Sequence, residues 1–157
     1  MRIRTGDVDA PAEHALLEAY FAYRAASFPS IDRAYSVVFP SRAVFTHPAG
    51  VFLVVEDDSG SAVGCGGIRM LPSLAEGVVR VEVKHVWLSP EARGRGWAGT
   101  LMEALEAEAR ALGATELVLD THHTLEGAAR LYARLGYEGI EAYNENVNAT
   151  RWYRKAL

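Results

Sequence analysis

The sequence predicts an α/β (α+β) fold, a mixed and mostly antiparallel central sheet flanked by helices. Three observations predict it. Three strand-like runs between Val51 and Leu88 are joined by short turns, which makes an antiparallel meander. Two segments of helical composition then alternate with a further strand, which implies a parallel crossover added to the meander. A Gly-rich loop joins the last meander strand to the first of those helices.

In chain order, residues 10–26 carry Leu16, Leu17, Tyr20, Phe21 and Tyr23 at helix-compatible spacing. A loop follows, punctuated by Pro29, Pro40 and Pro48, with Phe28, Tyr35, Phe39 and Phe45 interspersed. Those rings read either as satellite core packing or as the wall of a substrate cleft. Val51–Glu56 is a strand, Asp57-Asp58-Ser59-Gly60 a hairpin signal, and Ala62–Met70 the returning strand. A third strand runs from about Val78 to Leu88. Ala98–Leu112 is rich in Ala, Leu and Glu and reads as a helix stopped by Gly113. Thr115–Thr121 is a fourth strand, and Glu126–Leu135 a helix ending at Gly136. One or two further strands are expected in Ile140–Leu157, around the polar stretch Tyr143-Asn144-Glu145-Asn146.

Bulk properties narrow the function. A chain of 157 residues fits one domain, 1–157, and with 50% hydrophobic and 23% charged residues it can bury a core. A net charge of -4 argues against nucleic acid as the main partner. The local cluster Arg80, Lys84, Arg93 and Arg95 still leaves room for a small anionic ligand. The single cysteine, Cys65, forbids a disulfide within the chain and suits a reducing compartment. Between glycines in an apolar run, it reads as a small core residue rather than a catalytic thiol. No apolar run approaches a membrane span, and MRIRTGDVDA lacks a signal-peptide apolar region, so a cytoplasmic location is expected.

The loop after Leu88 has the logic of a phosphate site. A helix start offers unpaired N–H groups and the positive end of its dipole, and Gly94 and Gly96 let the backbone close around an anion. Gly94 to Gly99 also matches the GxGxxG dinucleotide fingerprint. That match is opposed by the five residues between strand and glycine, by the antiparallel strands before it, and by the short chain after it. An unliganded turn is the third reading; against it, two arginines at a helix N-terminus oppose the dipole unless an anion is present.

These residues resemble the GNAT acetyltransferases. Arg93, Gly96 and Ala98 occupy the defining positions of that family's [Gln/Arg]-x-x-Gly-x-[Gly/Ala] signature. Glu82–Pro90 looks like its fourth strand, and Thr121–Tyr137, with Leu131-Tyr132-Ala133-Arg134-Leu135-Gly136-Tyr137, looks like its LYxxxGF motif. The resemblance is strong from about Val51 onward. It implies a sheet splayed by a bulge in the fourth strand, with the pantetheine arm of acetyl-CoA in the opening. The backbone of Val86, Trp87 and Leu88 would bind that arm, and the pyrophosphate would sit on Arg93, Gly94, Arg95, Gly96, Trp97 and Ala98. Leu125 stands where many relatives carry an Asn that contacts the cofactor.

The resemblance also suggests chemistry, with acetyl passing directly to a primary amine of a small molecule rather than a protein. Similar enzymes use the tyrosine at Tyr132 as general acid; the alternative is a helix residue packing beside Leu131 and Leu135. Glu82 lies eleven residues before Arg93, where some relatives place the base; the alternative is a strand glutamate paired with Lys84 on the same face. His85 suits a base by its usual pKa range but falls on the opposite face of an ideal strand. His122 and His123 lack partners at metal-ligand spacing, so no metal is expected, and a substrate contact stays open. The Tyr143–Tyr153 stretch resembles the ending of a bacterial subgroup with a Tyr-Asn-x-Asn element, and either lines an acceptor cleft or closes the sheet. The rivals are a non-catalytic acyl-CoA-binding module on the same scaffold and a nicotinamide-dinucleotide enzyme. The aromatic-rich loop and the C-terminal segment are candidates for a homodimer contact.

Overall fold

The structure is a computed structural model that describes residues 1–28, 34–73 and 75–157; Pro29 of the punctuated loop lies outside them. Seven strands form one sheet in the order β1-β2-β3-β4-β5-β7-β6: β1 (Arg2–Thr5), β2 (Gly50–Glu56), β3 (Ala62–Met70), β4 (Arg80–Leu88), β5 (Glu116–Thr121), β6 (Glu138–Ile140) and β7 (Arg151–Ala156). The helices are α1 (Pro11–Ala26), α2 (Trp97–Ala111) and α3 (Glu126–Arg134). Among the described residues only β4 and β5 pair in parallel, across the crossover made by α2. The other adjacent strands are antiparallel.

The pattern of β2 explains the layering. Gly50 to Val55 are all buried, because the strand is covered on both faces. Val51, Leu53 and Val55 point toward Leu101, Met102, Leu105 and Ala109 of α2. Phe52 and Val54 point the other way, onto Leu16, Leu17 and Phe21 of α1, with Cys65 and Phe45 beside them. On α1 the inward stripe continues through Arg24, which is buried, whereas Tyr23 is 38% exposed.

One strand has no counterpart in the sequence reading. Arg2–Thr5 is polar and short, and its strand state comes from pairing with β2, from Arg2↔Glu56 to Thr5↔Leu53. Arg4 ties that edge down, with Nη1 donating to Glu13 Oε1 at 2.7 Å and Nε pairing with Glu56. No local apolar pattern marks such a strand.

Two irregularities in β4 shape the functional end of the sheet. Cys65 pairs with Trp87 and Gly67 with Lys84, so His85 and Val86 both oppose Gly66. This is a bulge, two residues against one, and His85 takes it up with φ of 57°, a left-handed value. The parallel β4–β5 pairing runs from Arg80↔Glu116 to Val83↔Leu119 and stops. Beyond Val83 the two strands part, while β5 goes on pairing with β7 as far as Thr121↔Arg151.

Candidate active site

A cavity of about 930 Å³ fills the space where β4 leaves β5. Its walls come from α1, the loop before β2, the far half of β4, the start of α2, and α3. Val86, Trp87 and Leu88 line it, and no strand among the described residues pairs with that stretch of β4 on the β5 side. The expected opening and the expected backbone edge are therefore both present.

The loop between β4 and α2 meets the cavity at Arg93 and Ala98. Gly94 and Gly96 have φ of 75° and 80°, values that L side chains seldom adopt. Gly96 is the N-cap of α2 and gives no side-chain cap. None of the amides from Gly94 to Ala98 donates to a backbone carbonyl, so five consecutive N–H groups surround one helix start. Arg93 lines the cavity, donating from Nε to the Leu88 carbonyl at 3.0 Å with its guanidinium 4.6 Å from the centroid of the Tyr23 ring. Arg95 lies over the Trp97 ring at 5.0 Å. Ala98 also faces the cavity, and so does Leu125.

Tyr132 enters from α3. The helix presents Leu131 and Tyr132 to the core, with the Tyr132 ring 5.8 Å from Tyr137 and 5.7 Å from Tyr153. The residue is 7% exposed and lines the cavity, so packing and access coexist. Burial pushes its hydroxyl up to about 12, keeping it a proton donor across the working pH range.

Glu82 sits elsewhere, fully buried and outside the cavity lining. Arg69 grips Oε2 through Nε and Nη2, both at 2.6 Å. Oε1 accepts from Tyr143 Oη at 2.8 Å and Asn144 Nδ2 at 3.2 Å, and lies 3.0 Å from Lys84 Nζ. The same Asn144 amide and Lys84 reach Asp120 Oδ2 at 2.7 and 2.8 Å, and Trp152 Nε1 donates to Asn144 Oδ1 at 2.9 Å. The predicted Lys84 partnership is thus one strand of a larger network across β3, β4, β5, β7 and the polar stretch before β7. Asp120, which does line the cavity, is held below the usual carboxylate range by Lys84 and Asn144 despite its burial.

His85 is carried by the bulge to the cavity wall, among Tyr20, Phe21 and Phe45 at 5.4, 5.6 and 5.6 Å between ring centroids. Burial, together with the Lys84 and Arg69 charges, lowers its pKa to about 3, so the imidazole is neutral and a weak base. Cys65 is fully buried, with its Sγ 3.5 Å from the His85 carbonyl oxygen and its thiol pushed up by burial. His122 and His123 bond through Nδ1 to Thr124 and Thr150, at 2.9 and 3.0 Å. Tyr35, Phe39 and Phe45 line the cavity, and Phe45 is also core, so the aromatic loop fills both roles foreseen for it.

Three charged cavity residues carry no mark in the sequence reading: Arg24, Arg69 and Asp120. Arg24 had a usable signal, since it lies seven residues after Leu17 on the inward stripe of α1. Arg69 and Asp120 reach the site through strand register, which the sequence does not display.

Comparison with known proteins agrees with this geometry. Residues 13–137 match the model of the acetyltransferase (GNAT) family. An uncharacterized N-acetyltransferase from Schizosaccharomyces pombe is 34% identical over 99 residues, 63% of this chain and 58% of that protein. The chain therefore spans little more than half the length of that relative. A protein described as an acyl-CoA N-acyltransferase from Klebsiella pneumoniae superposes with a TM-score of 0.75 at 26% identity, covering 99% of this chain and 97% of the other. A phosphinothricin acetyltransferase from Sinorhizobium meliloti, solved with AcCoA, shares the fold with a TM-score of 0.67 at 22% identity, covering 99% and 88%. The family match takes in β2 to β5, α2 and α3, the elements that frame the cavity, and the chain belongs to the GNAT acetyltransferase family.

Proposed function

We propose that the chain is an acetyl-CoA-dependent N-acetyltransferase acting on a primary amine of a small molecule. One observation carries the reading: Arg93 and Ala98, which bracket the free amides of the loop before α2, line the same cavity as Val86, Trp87, Leu88 and the Tyr132 side chain. The AcCoA held by the Sinorhizobium meliloti neighbour supports the choice of cofactor. In this reading the pyrophosphate rests on the loop amides with Arg93 and Arg95 at the rim, and the pantetheine arm runs along Val86, Trp87 and Leu88. Arg93 and the glycines fit a charged pyrophosphate, since the loop has donors and no carboxylate of its own.

The neutral amine nitrogen attacks the thioester carbonyl carbon, the C–S bond breaks, and the departing sulfur takes a proton from Tyr132 Oη. The product amide nitrogen gives its extra proton to solvent, and Tyr132 is reprotonated from there, so charge and protons balance. Glu82 has both oxygens occupied and no face on the cavity, so we assign it the anchoring of Arg69, Lys84, Tyr143 and Asn144. The amine proton leaves through water or enters the site already gone. His85, neutral and weakly basic, shapes the wall and does not collect that proton.

Tyr132→Phe tests the reading, because it deletes one hydroxyl from a packed ring. Release of CoA thiol should fall by about 100-fold or more, while the Kd for acetyl-CoA stays within about threefold. A non-catalytic acyl-CoA module would bind acetyl-CoA equally and release no thiol with any amine. Cytoplasmic location belongs to the same proposal; no helix among the described residues is long and apolar enough to cross a membrane.

A further inference from the structure

Arg24 is a buried cation facing the cavity, and no carboxylate among the described residues pairs with it. It is 8% exposed, and its Nε is buried without a hydrogen-bond partner. Among the described residues, no carboxylate lies within ion-pair distance of it. The other cavity cations are accounted for. Arg69 and Lys84 are paired with Glu82 and Asp120, and Arg93 is docked on the Leu88 carbonyl beside the pyrophosphate loop. Leaving a guanidinium uncompensated in a largely dehydrated wall is costly, and a bound anion removes that cost.

The position of Arg24 says which end of the cavity the anion occupies. Its guanidinium lies 5.5 Å from the centroid of the Tyr35 ring. Its charge also acts on the hydroxyls of Tyr20 and Tyr132, favouring their ionised forms against burial. Arg24 and Tyr132 line the same cavity, and the Arg24 guanidinium rests on the Tyr35 ring, whereas Arg93 is the cation held beside the loop amides. Phe21, Tyr35, Phe39 and Phe45 supply aromatic wall to the same cavity, with the Phe21 ring 6.4 Å from that of Tyr35 and 4.9 Å from that of Phe39.

We propose that the acceptor is an amine that also carries a carboxylate on an apolar body, and that Arg24 binds that carboxylate. The planar fork of a guanidinium matches a carboxylate, and one positive charge matches one negative charge. The rings supply the surface for an aromatic or branched aliphatic side chain. The inference rests on the N-acetyltransferase reading and names the substrate class within it.

The test is calorimetric binding of L-phenylalanine, L-leucine and L-isoleucine, each against its own carboxamide, to the protein loaded with CoA. CoA release from acetyl-CoA is followed with the same compounds. The acid and the amide differ only in the group Arg24 would hold. At least one acid is expected to bind about 10- to 100-fold tighter than its amide. Arg24→Gln should erase that ratio and leave the Kd for acetyl-CoA within about threefold of wild type. Arg24→Lys, which keeps the charge without the fork, should fall between the two. The inference is overturned if every amide binds as well as its acid, if no acid binds, or if Arg24→Gln keeps the ratio. A tenfold loss of acetyl-CoA affinity in Arg24→Gln would also overturn it, by assigning the cation to the cofactor. If the wild-type protein does not bind acetyl-CoA, the acetyltransferase reading itself fails, and the assignment of Arg24 falls with it.

Discussion

Replacing Glu82 with Gln keeps the side chain's shape and removes its charge, which separates an anchor from a proton acceptor. The carboxylate is 1% exposed and takes Arg69 on Oε2 and Tyr143, Asn144 and Lys84 on Oε1. A carboxamide has one accepting oxygen, so its NH2 must face either the Arg69 fork or the other three donors. Neither orientation restores the ion pair with Arg69. Breaking a buried pair by removing one partner costs about 3–5 kcal/mol. Two features reduce that here: Arg69 is 38% exposed and can reach water, and Lys84 keeps Asp120 at 2.8 Å. A loss of about 2–4 kcal/mol follows, which at roughly 2–4 °C per kcal/mol for a chain of this size lowers Tm by about 4–16 °C. Differential scanning calorimetry at pH 7, with CoA release measured well below the variant's Tm, reads both consequences. A melting shift below about 2 °C together with a 100-fold fall in kcat would refute the anchoring assignment and return Glu82 to the role of base.

Two further outcomes follow from the site. Gly96→Ala meets no atom within 4 Å of the new Cβ, so its cost is the left-handed backbone alone. Stability should fall by about 1–2 kcal/mol in urea titration, and acetyl-CoA affinity should weaken by more than the same change at Gly60, a left-handed glycine of the β2–β3 turn. For His85, whose pKa is lowered to about 3, the unfolded chain binds the extra proton first as pH falls. Its stabilising contribution is therefore complete above about pH 6.5 and is lost as pH drops toward 3. Between pH 7 and 4 the wild type should lose about 2–3 kcal/mol more than His85→Asn, which tolerates the left-handed φ. Equal acid slopes in the two proteins would mean that His85 is not held neutral.

What the sequence reveals follows from which interactions are local. The meander of β2, β3 and β4 is visible because β2 is a continuous apolar run, β3 is nearly so, β4 alternates valines with charged residues, and the β2–β3 turn carries Asp-Asp-Ser-Gly. The loop from Arg93 to Ala98 is visible because its glycines are dictated by backbone angles of its own. β1 is invisible because a polar Arg-Ile-Arg-Thr becomes a strand only by borrowing the edge of β2. Glu82 illustrates the same limit within the site. Its position on β4 and its pairing with Lys84 follow from strand periodicity, but Arg69 arrives from β3 and Tyr143 and Asn144 from 61 and 62 residues away. Those partners decide whether the carboxylate anchors or abstracts, and register across strands is not written locally. Arg24 lies between these cases, since the helical stripe points it inward, yet only the structure shows that its Nε is buried and meets no partner among the described residues.

Calorimetric titration with acetyl-CoA and, separately, with NAD addresses the cofactor assignment on which the rest depends. One acetyl-CoA per chain is expected to bind in the micromolar range, competed by CoA, with no heat from NAD at the same concentrations. Absence of acetyl-CoA binding in that range, or tighter binding of NAD, would contradict it.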